Sequence, residues 1–203
     1  MGGIFTSVMP DMSETLIQSM IVMGVSMGAF IGLPSSLMET YSTDIQKIYR
    51  VNGVPACTGV ITMFISAFIH LLIMCTIILF AAPLLFDAAL PENMPAFFCS
   101  LSVYIAVSLA IGCVLGLLFK SHARLTMVSQ LVFLPSIMLS GIMFPAELLP
   151  GLLRAIGKIF PAFCGYNLML NGGLSFTNLW YLLTLLAASV IACAIILSRK
   201  KLS

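Results

Sequence analysis

Residues 56–86 read ACTGVITMFISAFIHLLIMCTIILFAAPLLF, and this stretch contains no Asp, Glu, Lys or Arg. The hydrocarbon core of a bilayer is about 30 Å thick, and about 20 apolar helical residues are enough to cross it. The stretch is longer than one crossing requires. A water-soluble domain has no use for so long an uncharged run, so the stretch predicts a transmembrane helix.

The rest of the chain has the same character. Only 8% of the 203 residues are charged and 61% are hydrophobic, and the charges lie in short clusters. Helices are favoured over barrel strands because lipid cannot satisfy backbone groups and because the runs lack a strand's alternation. We therefore predict an all-α, polytopic membrane helix bundle that forms a single transmembrane domain over residues 1–203. Its five predicted spans lie near residues 15–38, 57–82, 96–119, 125–145 and 177–198.

The charges give the bundle an orientation. With five spans, the connecting segments alternate between two sides of the membrane. One side collects Lys47, Arg50, Lys120, Arg124, Arg199, Lys200 and Lys201, and the other collects Asp11, Glu14, Asp87, Glu92, Glu147, Arg154 and Lys158. Short cytoplasmic loops are enriched in Lys and Arg. This pattern predicts a multi-pass protein of the plasma membrane with a cytoplasmic C-terminus and a visible N-terminus outside.

The segment before residue 15 has neither the basic start nor the apolar core of a signal peptide. Two readings follow: the chain inserts with its N-terminus outside, or an upstream span precedes this sequence.

Small residues mark two predicted helix faces. Gly24, Gly28 and Gly32 follow one another at four-residue spacing in the first span, and Gly112 and Gly116 repeat the spacing in the third. Glycines four apart let two membrane helices approach closely. Packing within one chain and packing between two subunits both fit this pattern.

Residues 40–53 are the longest polar segment, and the predicted topology places them in the cytoplasm. Ile45, Ile48 and Tyr49 have helical spacing, and Gly53 and Pro55 end the pattern. A short amphipathic helix is expected here. It either lies at the lipid headgroups or docks a soluble partner.

Residues 147–160 predict a second amphipathic helix, on the outer side. On a helical wheel Glu147, Arg154 and Lys158 fall within about 40° of each other. Leucines and isoleucines occupy the opposite face. This arrangement predicts a helix that lies flat on the membrane with its charges towards water.

Few residues offer chemistry. His70 lies near the centre of the second span, where an ionisable group is either functional or a neutral imidazole bonded to a neighbouring helix. The six cysteines have no metal-binding spacing. Cys99 and Cys164 both lie towards the outer side, so a disulfide between them is one alternative. The glycines of segment 151–159 do not have the spacing of a nucleotide-binding loop. The sequence therefore predicts no metal, no cofactor, no nucleic-acid partner and no enzymatic activity in this chain.

Two stretches resemble the permease subunit of type-2 ABC exporters. The first is FLPSIMLSGIMFPAELLP at residues 133–150, which contains Ser140, Gly141, Pro145 and Glu147 and is followed by Phe160-Pro161. The second is KIYRVNGVP at residues 47–55. Such permeases typically have six spans, so the resemblance implies that the first span is absent from this sequence.

The resemblance also implies a mechanism. Two permease subunits, identical or different, would pair in the lipid bilayer, and separate ATPase subunits would bind ATP below them. Lys47, Tyr49 and Arg50 would contact the ATPase, and helix 147–160 with Ser140 would shape the exit of an amphiphilic or hydrophobic substrate.

Two alternatives belong to other classes. An ATP-independent channel or secondary transporter would need polar groups inside the membrane, and His70 is the one ionisable candidate. A non-transporting membrane scaffold would leave both amphipathic helices unexplained.

Overall fold

A computed structural model of the chain describes residues 15–42, 56–86, 93–119, 121–142, 156–170 and 176–202, together with Ala88, Leu90 and Pro91. Within these residues the regular structure is helical and contains no strand. The predicted all-α helix bundle is therefore confirmed.

The helices follow one another in a simple order. They are α1 (Leu16–Met27), a π-helical segment (Gly28–Gly32), α2 (Leu33–Ser42), α3 (Ala56–Phe86), α4 (Met94–Leu118), α5 (His122–Met138), α6 (Pro161–Leu170) and α7 (Phe176–Leu202). The π-helical segment joins α1 and α2 without a break, so these three elements form one long helix.

Four helical stretches are long and apolar enough to cross a membrane. They are Leu16–Tyr41, Cys57–Phe86, Met94–Leu118 and Thr177–Ser198. These stretches correspond to four of the five predicted spans. The second extends beyond its predicted end, because α3 continues through Pro83 to Phe86.

The predicted span 125–145 differs from the structure. Helix α5 has 17 residues and ends at Met138, and a turn begins at Leu139. At 1.5 Å per residue the helix is about 25 Å long, which is at the short end of the range for helices that cross a bilayer. The helix cannot extend through Gly141, because the φ of 88° at this residue lies outside the helical region.

Helix α4 is the centre of the bundle. It packs against every other helix named above and against the π-helical segment. Of its most apolar stretch 67% is buried, compared with 17% for α3 and 11% for α7. The outward side of α3 carries exposed isoleucines at four-residue spacing, namely Ile61, Ile65, Ile69, Ile73 and Ile77. Helices α3 and α7 therefore present apolar side chains to the bilayer.

Helix α6 is an element that the sequence patterns did not single out. It lies in the uncharged run before the last predicted span, begins at Pro161, and is largely buried against α4 and α7. The run 159–198 therefore contains two helices, and one of them fills the interior.

Candidate functional site

The most buried polar contact of the bundle is centred on Tyr104. This side chain in the middle of α4 has no exposed surface. Its hydroxyl donates to the carbonyl oxygen of Val22 at 3.3 Å and lies 2.7 Å from the hydroxyl of Ser26. With the Tyr104 proton used in this way, the Ser26 hydroxyl is the donor to Tyr104. The two hydrogen bonds fix α4 against α1 in the apolar interior.

Helix α6 covers the other side of the same ring. A Cβ atom added to Gly165 would overlap Cδ2 of Tyr104, so only glycine allows this approach. Tyr104 is therefore held between α1 and α6, and three helices meet at one side chain.

Buried polar groups are concentrated in the interior helices. Besides Ser26, the buried polar side chains are Gln18 and Ser19 of α1, Ser100 and Ser108 of α4, Ser129 and Ser136 of α5, Ser140 after α5, and Ser189 of α7. Among the described residues, the Gln18 Oε1 and the hydroxyls of Ser129 and Ser136 are buried without a hydrogen-bond partner. These three unpaired groups lie on α1 and α5, in the interior of the bundle.

Gly24 and Gly28 lie against α3. A Cβ on Gly24 would be 2.8 Å from Cε of Met74, and one on Gly28 would be 2.7 Å from Cδ2 of Leu71. Both contacts are with the ends of flexible side chains within the same chain. Both glycines therefore face side chains of another helix of the same chain.

Gly32 departs from the predicted face. A Cβ added there would meet nothing within 4 Å. The cause is the π-helical segment, in which the N–H of Leu33 donates to the carbonyl of Gly28, five residues earlier. A π turn contains more residues than an α turn. The extra residue rotates Gly32 away from the side that Gly24 and Gly28 share.

Gly112 and Gly116 of α4 receive the backbone of this altered turn. A Cβ on Gly112 would overlap the carbonyl oxygen of Ala29 in the π-helical segment. A Cβ on Gly116 would lie 3.0 Å from both the carbonyl oxygen of Pro34 and the Cβ of Leu37. The first long helix and α4 are therefore in backbone-to-backbone contact over about one turn.

The Ser-Gly pair after α5 forms a capped turn. The Ser140 hydroxyl donates to the carbonyl of Ile137 at 2.7 Å and accepts from the N–H of Ile142 at 3.4 Å. Gly141 supplies the positive φ. Ser140 and Ile142 are each 1% exposed, so this turn is enclosed by the bundle.

A second turn, at residues 156–160, packs against the first. A Cβ on Gly157 would lie 2.6 Å from the carbonyl oxygen of Leu139. The Tyr181 hydroxyl of α7 donates to the carbonyl of Ile159 at 2.8 Å, and Lys158 is exposed. We call residues 139–142 and 156–160 together the double turn. It joins α5, α6 and α7 at one end of the bundle.

Most of the predicted amphipathic helices lie outside the described residues. Pro145, Glu147 and Arg154 lie in segment 143–155, which is outside the described residues. Of the predicted helix 147–160, only residues 156–160 are described, and Lys158, Ile159 and Phe160 form a turn instead of continuing a helix. Lys47, Tyr49 and Arg50 are likewise outside the described residues. The structure does place the end of α2 at Ser42, within the first three residues of the predicted docking segment 40–53.

His70 lies on the exposed side of α3. Thr58, Thr62 and Ser66 precede it at four-residue spacing, and all four side chains are exposed. The sequence patterns did not show this polar stripe. The His70 side chain is therefore on the surface of the bundle and not in its interior.

The cysteines that both lie towards the outer side do not form a disulfide. Cys99 is exposed, Cys164 is buried, and both thiols are free. The Cys164 thiol instead contacts the carbonyl of Lys158 at 3.7 Å, within the end of the bundle that carries the double turn.

Comparison with known proteins identifies the family of this chain. A family model described as ABC-2 family transporter protein matches residues 5–199. No curated protein and no solved structure matches the chain. The match includes the buried α4, both glycine pairs and the double turn. The chain therefore belongs to the ABC-2 transporter family, as a multi-pass membrane protein of the permease type.

Proposed function

We propose that this chain is the permease subunit of an ATP-driven exporter, which moves an amphiphilic or hydrophobic substrate out of the cytoplasm. The observation that carries the proposal is the family match over residues 5–199, which covers nearly the whole chain. A separate ATPase subunit binds and hydrolyses ATP, and a second permease subunit, identical or different, completes the transporter.

The long first helix is the proposed route by which ATPase movement reaches the membrane. Helix α2 ends at Ser42, next to the segment that carries Lys47, Tyr49 and Arg50. The same helix touches α4 through the backbone contacts at Gly112 and Gly116. A displacement of segment 40–53 would therefore move α4 as well, because no flexible side chains separate the two backbones.

The double turn is the proposed outer end of the transport route. Its turns are packed on each other and tied to α7 through Tyr181. Movement of α4 would change this end of the bundle, because α6 contacts α4 through Gly165 and leads directly from the second turn. Helix 147–160 would then border the exit.

The test is co-expression with a candidate ABC ATPase subunit, followed by affinity purification and ATP hydrolysis with and without amphiphilic substrates. The double variant Lys47→Glu, Arg50→Glu should insert normally but lose the ATPase during purification. The control is Arg154→Glu, Lys158→Glu, which makes the same charge change on the opposite side and should retain the ATPase. Unchanged co-purification and transport in the first variant would contradict the proposed docking segment.

A further inference from the structure

We propose that a cavity between α3, α4 and α7 holds the hydrocarbon chain of an anionic membrane lipid. Its volume is about 540 Å³. Its lining residues include Cys57 and Phe64 of α3, Cys113 of α4, and Cys193, Leu197 and Ser198 of α7. We call this space the three-helix cavity. It is separate from Tyr104 and from the double turn.

The lining selects for hydrocarbon. Among the described residues, the lining consists of aliphatic, aromatic and thiol side chains, with one hydroxyl from Ser198 and no charged group. Pockets that bury small organic ligands commonly have volumes of about 300–1,000 Å³, so the space is large enough for a substantial part of an acyl chain. A ligand with a charge or many hydrogen-bonding groups would lose its bound water at this depth and gain no hydrogen bonds in exchange.

The position of the cavity gives it access to the bilayer. Two of its three walls are α3 and α7, the least buried of the candidate spans. Cys57 lies at the beginning of α3 and Ser198 lies near the end of α7, so the cavity is at the ends of these helices that the charge pattern assigns to the cation-rich side. Lipid chains surround this part of the protein.

Charge indicates which lipid occupies the cavity. Helix α7 continues beyond Ser198 through Arg199, Lys200 and Lys201 to Leu202. These three basic positions occupy about one helical turn after the lining residue Ser198. Basic clusters at the end of a span attract anionic lipid headgroups. A single anionic lipid can therefore satisfy both features, with a chain in the cavity and its headgroup at the basic turn.

The experiment uses the full chain in vesicles of phosphatidylcholine that contain a small fraction of phosphatidylglycerol with a diazirine in one acyl chain. After illumination, mass spectrometry locates the lipid adducts. We expect adducts on segments 57–64 and 190–198 in excess over segment 69–77, whose exposed isoleucines report contact with bulk lipid. A matched phosphatidylcholine probe should give much weaker labelling of the cavity.

Two tryptophan variants test the location. Ala194→Trp places a large side chain in the cavity and should reduce the excess labelling to the level of segment 69–77. Ala188→Trp makes the same change on the same helix at an exposed position outside the cavity and should leave labelling unchanged. The triple variant Arg199→Gln, Lys200→Gln, Lys201→Gln should remove the preference for the anionic probe.

Three results would overturn the proposal. The first is labelling of the cavity segments no stronger than that of segment 69–77, and the second is labelling that survives Ala194→Trp. The third is equal labelling by the two headgroups. If the cavity instead receives a second copy of the chain, lipid labelling will be absent and Ala194→Trp will change the oligomeric state. Because none of these measurements uses an ATPase, their outcome is independent of the proposed exporter function.

Discussion

The hydroxyl groups of Tyr104 and Ser26 lie 2.7 Å apart although 78 positions separate them in the chain. Both residues are completely buried. Each belongs to a candidate membrane span, so this hydrogen bond is a direct polar link between two spans. In the apolar interior neither hydroxyl can form a hydrogen bond with bulk water instead. Removal of one hydroxyl therefore leaves the other with one hydrogen bond fewer.

Tyr104→Phe is expected to destabilise the bundle. The change keeps the ring and its contact with Gly165 but removes the bonds to Ser26 and Val22. Hydrogen bonds between membrane helices are worth about 0.6 kcal/mol on average and at most about 1.7 kcal/mol, so we expect a loss in this range. Unfolding in mixed micelles of detergent and SDS measures it.

The control for this variant is Ser102→Ala, on the same helix. Its hydroxyl donates to the Phe98 carbonyl one turn earlier and makes no link between helices. Ser26→Ala completes a double-mutant cycle with Tyr104→Phe. Strictly additive effects of the two variants would show that the 2.7 Å contact contributes no coupling energy.

Gly112→Ala should be more damaging than Gly32→Ala. The added methyl group at Gly112 overlaps the Ala29 carbonyl, which is backbone and cannot move aside alone. Overpacking of this kind costs about 1–3 kcal/mol. The same methyl group at Gly32 meets nothing within 4 Å, so we expect no loss of stability. Thermal unfolding of both variants in one detergent provides the comparison. Equal losses would mean that the backbone contact with the π-helical segment is absent.

Gly141→Ala should destabilise the double turn. Gly141 has a φ of 88°, and a left-handed backbone costs a residue with a Cβ roughly 1–2 kcal/mol. The melting temperature in detergent should therefore be lower for the Ala variant than for the wild type. An Ala variant that melts with the wild type would show that the positive φ at this position causes no strain.

The sequence predicts the spans well because a charge-free apolar run of more than 20 residues is typical of a transmembrane helix. Residues 56–86 show this, since α3 covers the quoted stretch from end to end. The same criterion cannot find α6. Pro161–Leu170 is uncharged but too short to be a span. Hydrophobicity alone does not separate such a buried helix from the next helix in a continuous uncharged run.

Helix register is less predictable than helix position. The spacing of Gly24, Gly28 and Gly32 assumes an α-helix throughout, but the π turn at Gly28–Gly32 changes the direction of Gly32. The π turn packs against Gly112 through the carbonyl of Ala29, and these two residues are more than 80 positions apart in the chain. Tyr104 was missed for the same reason, because its partners Val22 and Ser26 are remote in sequence.

The segment 147–160 provides a test of orientation. We expect it to lie flat on the outer surface, because its charged residues Glu147, Arg154 and Lys158 share one face. Crossing the membrane would bury Arg154 and Lys158 at a cost of roughly 2.5–3.5 kcal/mol each on insertion scales. Lying flat lets both charges reach water while the apolar face stays in lipid. In the described part, Lys158 is exposed, as this arrangement requires.

Cysteine labelling of intact cells measures this orientation. Single cysteines are introduced at positions 152, 154, 156 and 158 in a chain whose six native cysteines are replaced. A membrane-impermeant thiol reagent should modify positions 154 and 158 from outside. Positions 152 and 156 should be protected, because the apolar face of the helix is immersed in lipid. The control is a cysteine at position 124, which lies on the cation-rich side and should react only after the cells are opened. If positions 154 and 158 behave like position 124, the topology from α5 onward is inverted, and the double turn cannot be at the exit.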